Sequence, residues 1–229
     1  MHSLAPFGEC CRVLLAKLDE AFAELSAAQP GKVTCAPGCD NCCTHPFDIR
    51  LVEALEVCRG VRDLPAELRR TVMERAESAR VEIAEAVGAR AGLERASRAE
   101  TDERVRVMKT LTVPCPLLSD GRCGAYEHRA GMCRIFGAPF AMDEGDPILV
   151  CPYSGFTEAD KPRAALVGRI FRALDELDAE LVKSVTGVRP GGPIRMSIAA
   201  AVATDYDDAK AAVLARAFVG GAGAGAARA

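Results

Sequence analysis

The sequence has few of the features that identify a nucleic-acid binder, a membrane protein or a common hydrolase. Its 29 basic and 32 acidic residues give a net charge of −3, whereas a dedicated nucleic-acid binder needs a strong basic excess. No run of roughly eighteen apolar residues is present, so we expect no membrane span. Only three histidines occur, one of them His2, so a Ser-His-Asp triad cannot be assembled convincingly.

Other signals are also missing. The stretch GGAGAG near the C-terminus lacks the strand and helix that frame a nucleotide-binding glycine loop. The first residues lack a basic segment leading into an apolar one, so we expect no secretory signal and a cytoplasmic location. Carboxylates are numerous, but they fall on charged helix faces, where solvation explains them. We therefore assign no catalytic residue, and whether the protein is an enzyme stays open.

Cysteine is the residue in excess. There are 11 cysteines in 229 residues, which is more than an ordinary share but less than in small disulfide scaffolds. The cytosol keeps thiols reduced, so a cysteine-rich chain without an export signal favours metal binding over disulfides. With 49% hydrophobic and 27% charged residues, the composition is that of a globular protein.

The apolar pattern predicts helices. Apolar residues recur every three or four positions in segments 4–25, 68–87 and 166–185. We expect Asp48 to cap a short helix through Cys58, residues 148–150 to be a candidate strand, and one last helix to span 197–219. The prediction is a mainly α, single helical domain over residues 1–219, with little or no β structure. Residues 33–153 form its cysteine core, 157–219 its C-terminal helices, and 220–229 a disordered Gly/Ala tail.

Two irregular segments, 31–47 and 112–156, carry eight of the cysteines. The first has C-x3-C-x2-C-C spacing, and the second spreads four cysteines among prolines and glycines. Thiolates are the ligands that suit zinc or an iron–sulfur cluster, and metal binding energy can order irregular backbone. The predicted metal or cofactor ligands are Cys35, Cys39, Cys42, Cys43, Cys115, Cys123, Cys133 and Cys151.

The grouping of these eight thiols is left open by the sequence. They fit two four-thiolate sites, or one cluster with spare ligands. Adjacent Cys42 and Cys43 point apart in an extended backbone, so they could serve two centres, or one could ligate while the other packs. The remaining cysteines lie on predicted helices, where core packing is the better interpretation: Cys10, Cys11 and Cys58.

Polar neighbours of the ligands have two interpretations each. Arg129 and Arg134 flank Cys133 and either offset the negative charge of a thiolate centre or lie in solvent. His45 and His128 are secondary ligand candidates, because eight thiols are already available. Tyr126 is expected to pack against the second cysteine loop.

The cysteine pattern resembles the YkgJ-type cysteine-cluster family, which is described as zinc- or iron-chelating. The similarity covers roughly residues 33–153 and all eight predicted ligands. It extends to C-x-x-Y-E-x-R…C-R, although Ala130 stands where the family usually has proline, which bears on local loop geometry and not on ligation. The resemblance implies metal chelation and no agreed reaction. A flagellin lysine methylase is similar in bearing such a cluster.

The sequence therefore supports two candidate functions. The first is a protein holding one or two iron–sulfur clusters, expected to be of the 4Fe-4S type, with a redox or protein- or peptide-modifying role. The second is a structural zinc module that mediates a protein–protein interaction. Both imply a protein or peptide partner, with no nucleic acid and no membrane. The C-x3-C-x2-C spacing also occurs in radical S-adenosylmethionine enzymes, and C-x2-C in thioredoxin-like proteins, but the βα settings of both are missing.

Overall fold

Helices dominate the fold, as the sequence predicts. A computed structural model describes residues 3–36, 38–88, 98–157, 159–160, 162–192 and 194–226. The chain is a mainly α single domain. Its helices in the described residues are α1 (Ala5–Ala28), α2 (Leu51–Arg62), α3 (Ala66–Val87), α4 (Arg98–Thr110), α5 (Gly131–Ile135), α6 (Gly168–Thr186), α7 (Ile198–Thr204) and α8 (Asp208–Ala226).

The strands are short and pair in twos. β1 (Asp48–Arg50) pairs antiparallel with β6 (Arg195–Ser197). β2 (Leu118–Ser119) and β3 (Arg122–Cys123) form a hairpin, and β4 (Phe140–Ala141) runs parallel to β5 (Ala165–Leu166). The candidate strand 148–150 is reduced to a single bridge between Leu149 and Phe140.

The core lies between α1, α2, α6, α7 and α8, and α3 packs on α7. The apolar stripes of the sequence supply it, because residues spaced by three and four share one face of a helix. Fully buried examples come from α1, α2 and α6: Leu15, Leu18, Leu51, Val57, Leu174 and Leu181. No helix in the described ranges is long and apolar enough to cross a bilayer.

Two element boundaries differ from the prediction. Asp48 does not cap a helix; it lies in β1 and accepts two hydrogen bonds from Arg104 at 2.6 and 2.8 Å. α2 begins at Leu51, and Glu53 accepts the backbone N–H of Arg50 at 3.0 Å instead. The predicted last helix is broken at Asp205, whose φ of 51° is left-handed, so α7 and α8 replace it.

Ser197 caps α7 through a hydrogen bond from the Ala200 N–H to its hydroxyl at 3.1 Å. α8 continues to Ala226, and residues 227–229 of the predicted tail lie outside the described residues. α8 therefore includes residues 220–226 of the predicted Gly/Ala tail, and disorder stays a prediction for residues 227–229 alone.

Candidate metal centre

The first cysteine segment connects α1 to β1 through tight turns. Cys39 donates its backbone N–H to Ala36 at 2.9 Å, and Cys43 donates to Asp40 at 2.8 Å. A 3₁₀ turn at Asn41–Thr44 then places Cys42 and Cys43 side by side. Because the backbone turns twice within a few residues, the four thiols of this segment stay close to one another.

The second segment distributes its cysteines over three small elements. Cys115 precedes the β2–β3 hairpin, and Cys123 lies in β3. Asp120 and Gly121 both have positive φ and make the hairpin turn. Cys133 lies in α5, while Cys151 follows the Leu149 bridge.

Backbone and side-chain bonds join the two segments. Cys115 donates its N–H to the Cys43 carbonyl at 2.7 Å, and Gly155 donates to the Lys32 carbonyl at 2.8 Å. The Thr34 hydroxyl donates to the Tyr153 carbonyl at 2.8 Å. The two irregular segments predicted from the sequence are therefore packed together as one unit.

One set of thiols, the outer group, surrounds a small cavity. Its members are Cys35, Cys39, Cys42 and Cys151, and Phe136 and Gly137 close the wall. Burial and the neighbouring charges of Cys39, Cys42 and Cys151 raise the pKa of the Cys35 thiol to about 11. Cys35 as a residue is exposed, but its sulfur faces this cavity.

Gly137 makes that wall possible. Its φ is 120°, and a Cβ there would lie 2.9 Å from the Cβ of Cys35 and 3.3 Å from its sulfur. Contacts under 3.0 Å between such atoms require something to move, so glycine permits the close approach of the loop to Cys35.

A second set, the inner group, is more deeply buried and consists of Cys115, Cys123 and Cys133. Burial, then the charges of Cys115, Cys123 and Cys42, raises the pKa of Cys133 well above its ordinary value. Burial likewise raises the pKa of Cys115 to about 12. Cys42, a member of the outer group, thus lies close enough to the inner group to raise the pKa of its thiols.

Cys42 and Cys43 connect the two groups. Hydrogen bonding to the Cys43 thiol, followed by burial, raises the pKa of Cys42 far above its ordinary range. The Cys43 carbonyl is the acceptor for Cys115 of the inner group. The eight predicted ligands thus form one continuous set of neighbours, with the adjacent pair in the middle.

The thiols are neighbours without being a closed ligand set. Within the described ranges, no three His, Cys, Asp or Glu side chains are arranged as the ligands of a metal ion. The donor chemistry does suit a soft metal, since every group is a thiol and four of them line one cavity. Ligation would require deprotonation and small movements of these side chains.

Buried carboxylates hold the loop between Cys123 and Cys133. Glu53 on α2 accepts the backbone N–H of Gly131, the first residue of α5, at 2.8 Å. Glu56, one turn later, lies 2.9 Å from Nδ1 of His128 and accepts from Arg12 at 3.2 Å. Both are almost completely buried, with 2% and 3% exposure. The expectation that the carboxylates lie on solvated faces is therefore wrong for these two.

Arg129 and Arg134 attach the same loop to α1. Both donate to the carboxylate of Asp19, Arg129 at 2.7 Å. Arg134 also donates to the carbonyls of Arg129 and Glu127 at 2.9 and 2.6 Å. Neither arginine is a free surface residue. Burial raises the pKa of Cys123, and the positive charge of Arg129 opposes that rise.

The aromatic and imidazole candidates have other partners. Tyr126 is 57% exposed, and its ring centre lies 3.9 Å from the guanidinium of Arg129. It therefore contacts the second cysteine loop, as predicted, while more than half of the residue stays exposed. His45 is exposed and hydrogen-bonds Thr44 at 3.0 Å. His128 is bonded to Glu56. Because both histidines have other partners, the thiols are the better candidates for metal ligands.

The three helical cysteines divide into two kinds. Cys11 and Cys58 are fully buried, and the Cys58 thiol donates to the Ala201 carbonyl at 3.3 Å. Burial raises the pKa of Cys58 to about 11, so both behave as the predicted packing residues. Cys10 is exposed, and its assignment to the core is wrong.

Sequence reasoning missed Asp19, Glu53 and Glu56. The only local signal is that Glu53 and Glu56 interrupt an otherwise apolar run, LVEALEVC, three residues apart. Comparison of the chain with family models, with curated proteins and with solved structures found no match. The resemblance of the cysteine pattern to the YkgJ-type family therefore stays a prediction.

Proposed function

We propose that this protein binds metal through its eight loop cysteines and holds one or two iron–sulfur clusters. The observation that supports the proposal is the Cys115–Cys43 backbone bond. It joins segments that are remote in sequence, and each of them carries four of the thiols. Inert packing cysteines would have no reason to gather at one junction of two irregular loops.

Two ligand sets follow from the neighbours. The outer group of Cys35, Cys39, Cys42 and Cys151 would hold one cluster beside the cavity. The inner group of Cys115, Cys123 and Cys133, completed by Cys43, would hold a second. A bound cluster of four irons and four sulfides would supply one-electron chemistry. The proposal includes a cytoplasmic location, since a thiolate centre needs reduced thiols and the cytosol keeps thiols reduced.

The surrounding residues suit such a centre. Glu53, Glu56 and Asp19 fix the backbone between Cys123 and Cys133, so these thiols need little rearrangement to bind. Arg129 offers positive charge near Cys123, which would offset part of the negative charge of a thiolate centre. The outer group is closer to solvent and is the better place for electron exchange or for action on a peptide.

A structural zinc module is the second candidate. The inner thiols are buried, and residues 111–167 contain little regular structure in their described part. A closed zinc with four thiolates would order such a segment without doing chemistry, and the remaining surface would then serve a protein partner. Zinc and iron–sulfur clusters share this donor chemistry.

The deciding experiment measures iron, zinc and acid-labile sulfide in protein purified without oxygen, together with its visible spectrum. Iron matched by sulfide, with a brown colour bleached by dithionite, supports the cluster. Colourless protein with stoichiometric zinc supports the structural module. Protein that retains neither metal, even after anaerobic reconstitution with ferrous iron and sulfide or with zinc, would overturn both.

A further inference from the structure

An apolar groove lies directly beside Cys151 of the outer group. It is open to solvent and has a volume of about 650 Å³. The side chains that form it are mostly aliphatic or aromatic: Ile148, Val150, Pro152, Phe156 and Pro162, with Cys151, Thr157 and Asp160.

The charged side chain that lines the groove is a carboxylate whose hydrogen-bond and ion-pair partners come from this chain. Asp160 accepts hydrogen bonds from the backbone N–H and hydroxyl of Thr157 at 2.5 and 2.8 Å, and from the Lys32 ammonium at 3.1 Å. These bonds lower the pKa of Asp160 to about 2. A carboxylate satisfied in this way does not call for a cationic ligand, so the groove suits an uncharged apolar side chain.

One wall of the groove is the segment Ile148–Val150, which pairs with Phe140 through a single antiparallel bridge. Leu149 and Phe140 exchange both backbone hydrogen bonds, at 2.7 and 3.0 Å. In such a pair the flanking residues direct their N–H and C=O groups away from the partner. Accordingly, the backbone groups of Ile148 and Val150 bond to no other part of the chain that the structure describes. Pro147 and Pro152 bound this edge at both ends.

We propose that the Ile148–Val150 edge binds an extended peptide by strand addition, with an apolar peptide side chain in the groove. The alternating partial charges of the free N–H and C=O groups complement those of a peptide backbone, which other apolar ligands lack. Exposed strand edges are normally protected, yet Ile148 is 44% exposed and Leu149 50%. The inference rests on the proposed function only in giving the peptide a reason to lie beside Cys151.

The test uses a blocked peptide of alternating threonine and valine, flanked by lysines and carrying a fluorophore, with binding followed by anisotropy. A matched depsipeptide replaces the central amides with esters, so it keeps the side chains and loses the N–H donors. We expect binding about fivefold weaker for each hydrogen bond lost. Equal binding of the two ligands would overturn strand addition and leave only an apolar groove.

Two adjacent variants provide the protein-side control. Ile148→Asp places a charge in the groove and should weaken binding at least tenfold. Leu149→Asp places the same charge on the opposite face at similar exposure and should leave binding nearly unchanged. Thermal unfolding of both variants identifies any loss of fold. Equal loss of binding in two folded variants would contradict the proposal.

Parallel measurements separate this inference from the proposed function. Metal bound without peptide binding overturns strand addition alone, whereas peptide binding by a protein that takes up neither iron nor zinc overturns the metal proposal alone. Sedimentation tests a different occupant: a dimer that Ile148→Asp dissociates would assign the edge to a second copy of the chain and overturn the peptide.

Discussion

Cys115 donates its backbone N–H to the carbonyl of Cys43 over 2.7 Å, and this bond fixes one cysteine loop against the other. The acceptor belongs to the 3₁₀ turn that presents Cys42 and Cys43. A substitution that displaces either loop should therefore also move the thiols of the other loop.

Substitution of Cys42 should remove metal, whereas substitution of Cys58 should not. Cys42 neighbours both thiol groups, and Cys58 is buried in the helical core. We expect Cys42→Ser to lose at least half of the bound metal, and Cys58→Ser to keep it while losing about 1 kcal/mol of stability. Elemental analysis and urea unfolding measure the two effects. A Cys58→Ser protein without metal would show that the ligand assignment is wrong.

Gly137→Ala should loosen the outer group. The added methyl would lie 2.9 Å from the Cβ of Cys35, so the loop or Cys35 must move. We expect metal transfer to a chelator about tenfold faster. Gly145→Ala is the matched control, since Gly145 also has positive φ, of 88°, but no atom within 4 Å of the added Cβ. Similar rates for both variants would point to backbone strain alone.

Glu53→Gln should destabilise α5 and, with it, Cys133. The change weakens the bonds to Gly131 and to the buried guanidinium of Arg50. Breaking a buried ion pair on one side costs about 3–5 kcal/mol. Faster hydrogen exchange at the Gly131 amide, together with weaker metal retention, would be the expected signature. Glu103→Gln, which removes an exposed pair with Arg106, should change neither measurement.

Asp178 should make stability depend on pH. Burial raises the pKa of Asp178 to about 6, against the opposing effect of bonds from the backbone N–H groups of Val52 and Ile194. The folded state therefore binds more protons than the unfolded state between about pH 4 and 6. This stabilisation is complete below the ordinary carboxyl pKa and is lost as pH rises through 6.

The free energy of unfolding of the wild type, relative to Asp178→Asn, should accordingly fall by about 1 kcal/mol between pH 5 and 7. Urea unfolding of both proteins across this range measures the difference, in which the other titrating groups largely cancel. A difference that stays constant, or rises with pH, would mean that Asp178 is ionised when folded.

The sequence predicts the parts of this structure that depend on neighbours along the chain. α1, α3 and α6 follow from apolar stripes because helical periodicity is local. The predicted helix-capping role of Asp48 is wrong because its partners lie in β6 and α4, which are remote in sequence. Glu53 and Glu56 were missed for the same reason: their partners Gly131 and His128 lie on a distant loop.

The break between α7 and α8 shows another limit. Residues 204–208, TDYDD, are poorer helix formers than the alanine-rich stretches on either side, but such a short run does not decide whether a helix ends or continues. One residue in the left-handed region, Asp205, ends α7 there. For the cysteines, avoidance of the helices singled out the eight loop thiols. Their division into outer and inner groups needed the contacts between the two loops, which no spacing encodes.

The pairing of β1 with β6 has a consequence for biosynthesis. β1 cannot pair until residues 195–197 have been synthesised. The apolar faces of α1 and α2 likewise stay uncovered until α6 and α7 have been made. All eight loop cysteines are translated before any of those partners. A nascent chain thus presents all eight thiols before the helices that cover the core have been made, and under the proposed function metal would be incorporated into a chain that folds late in its synthesis.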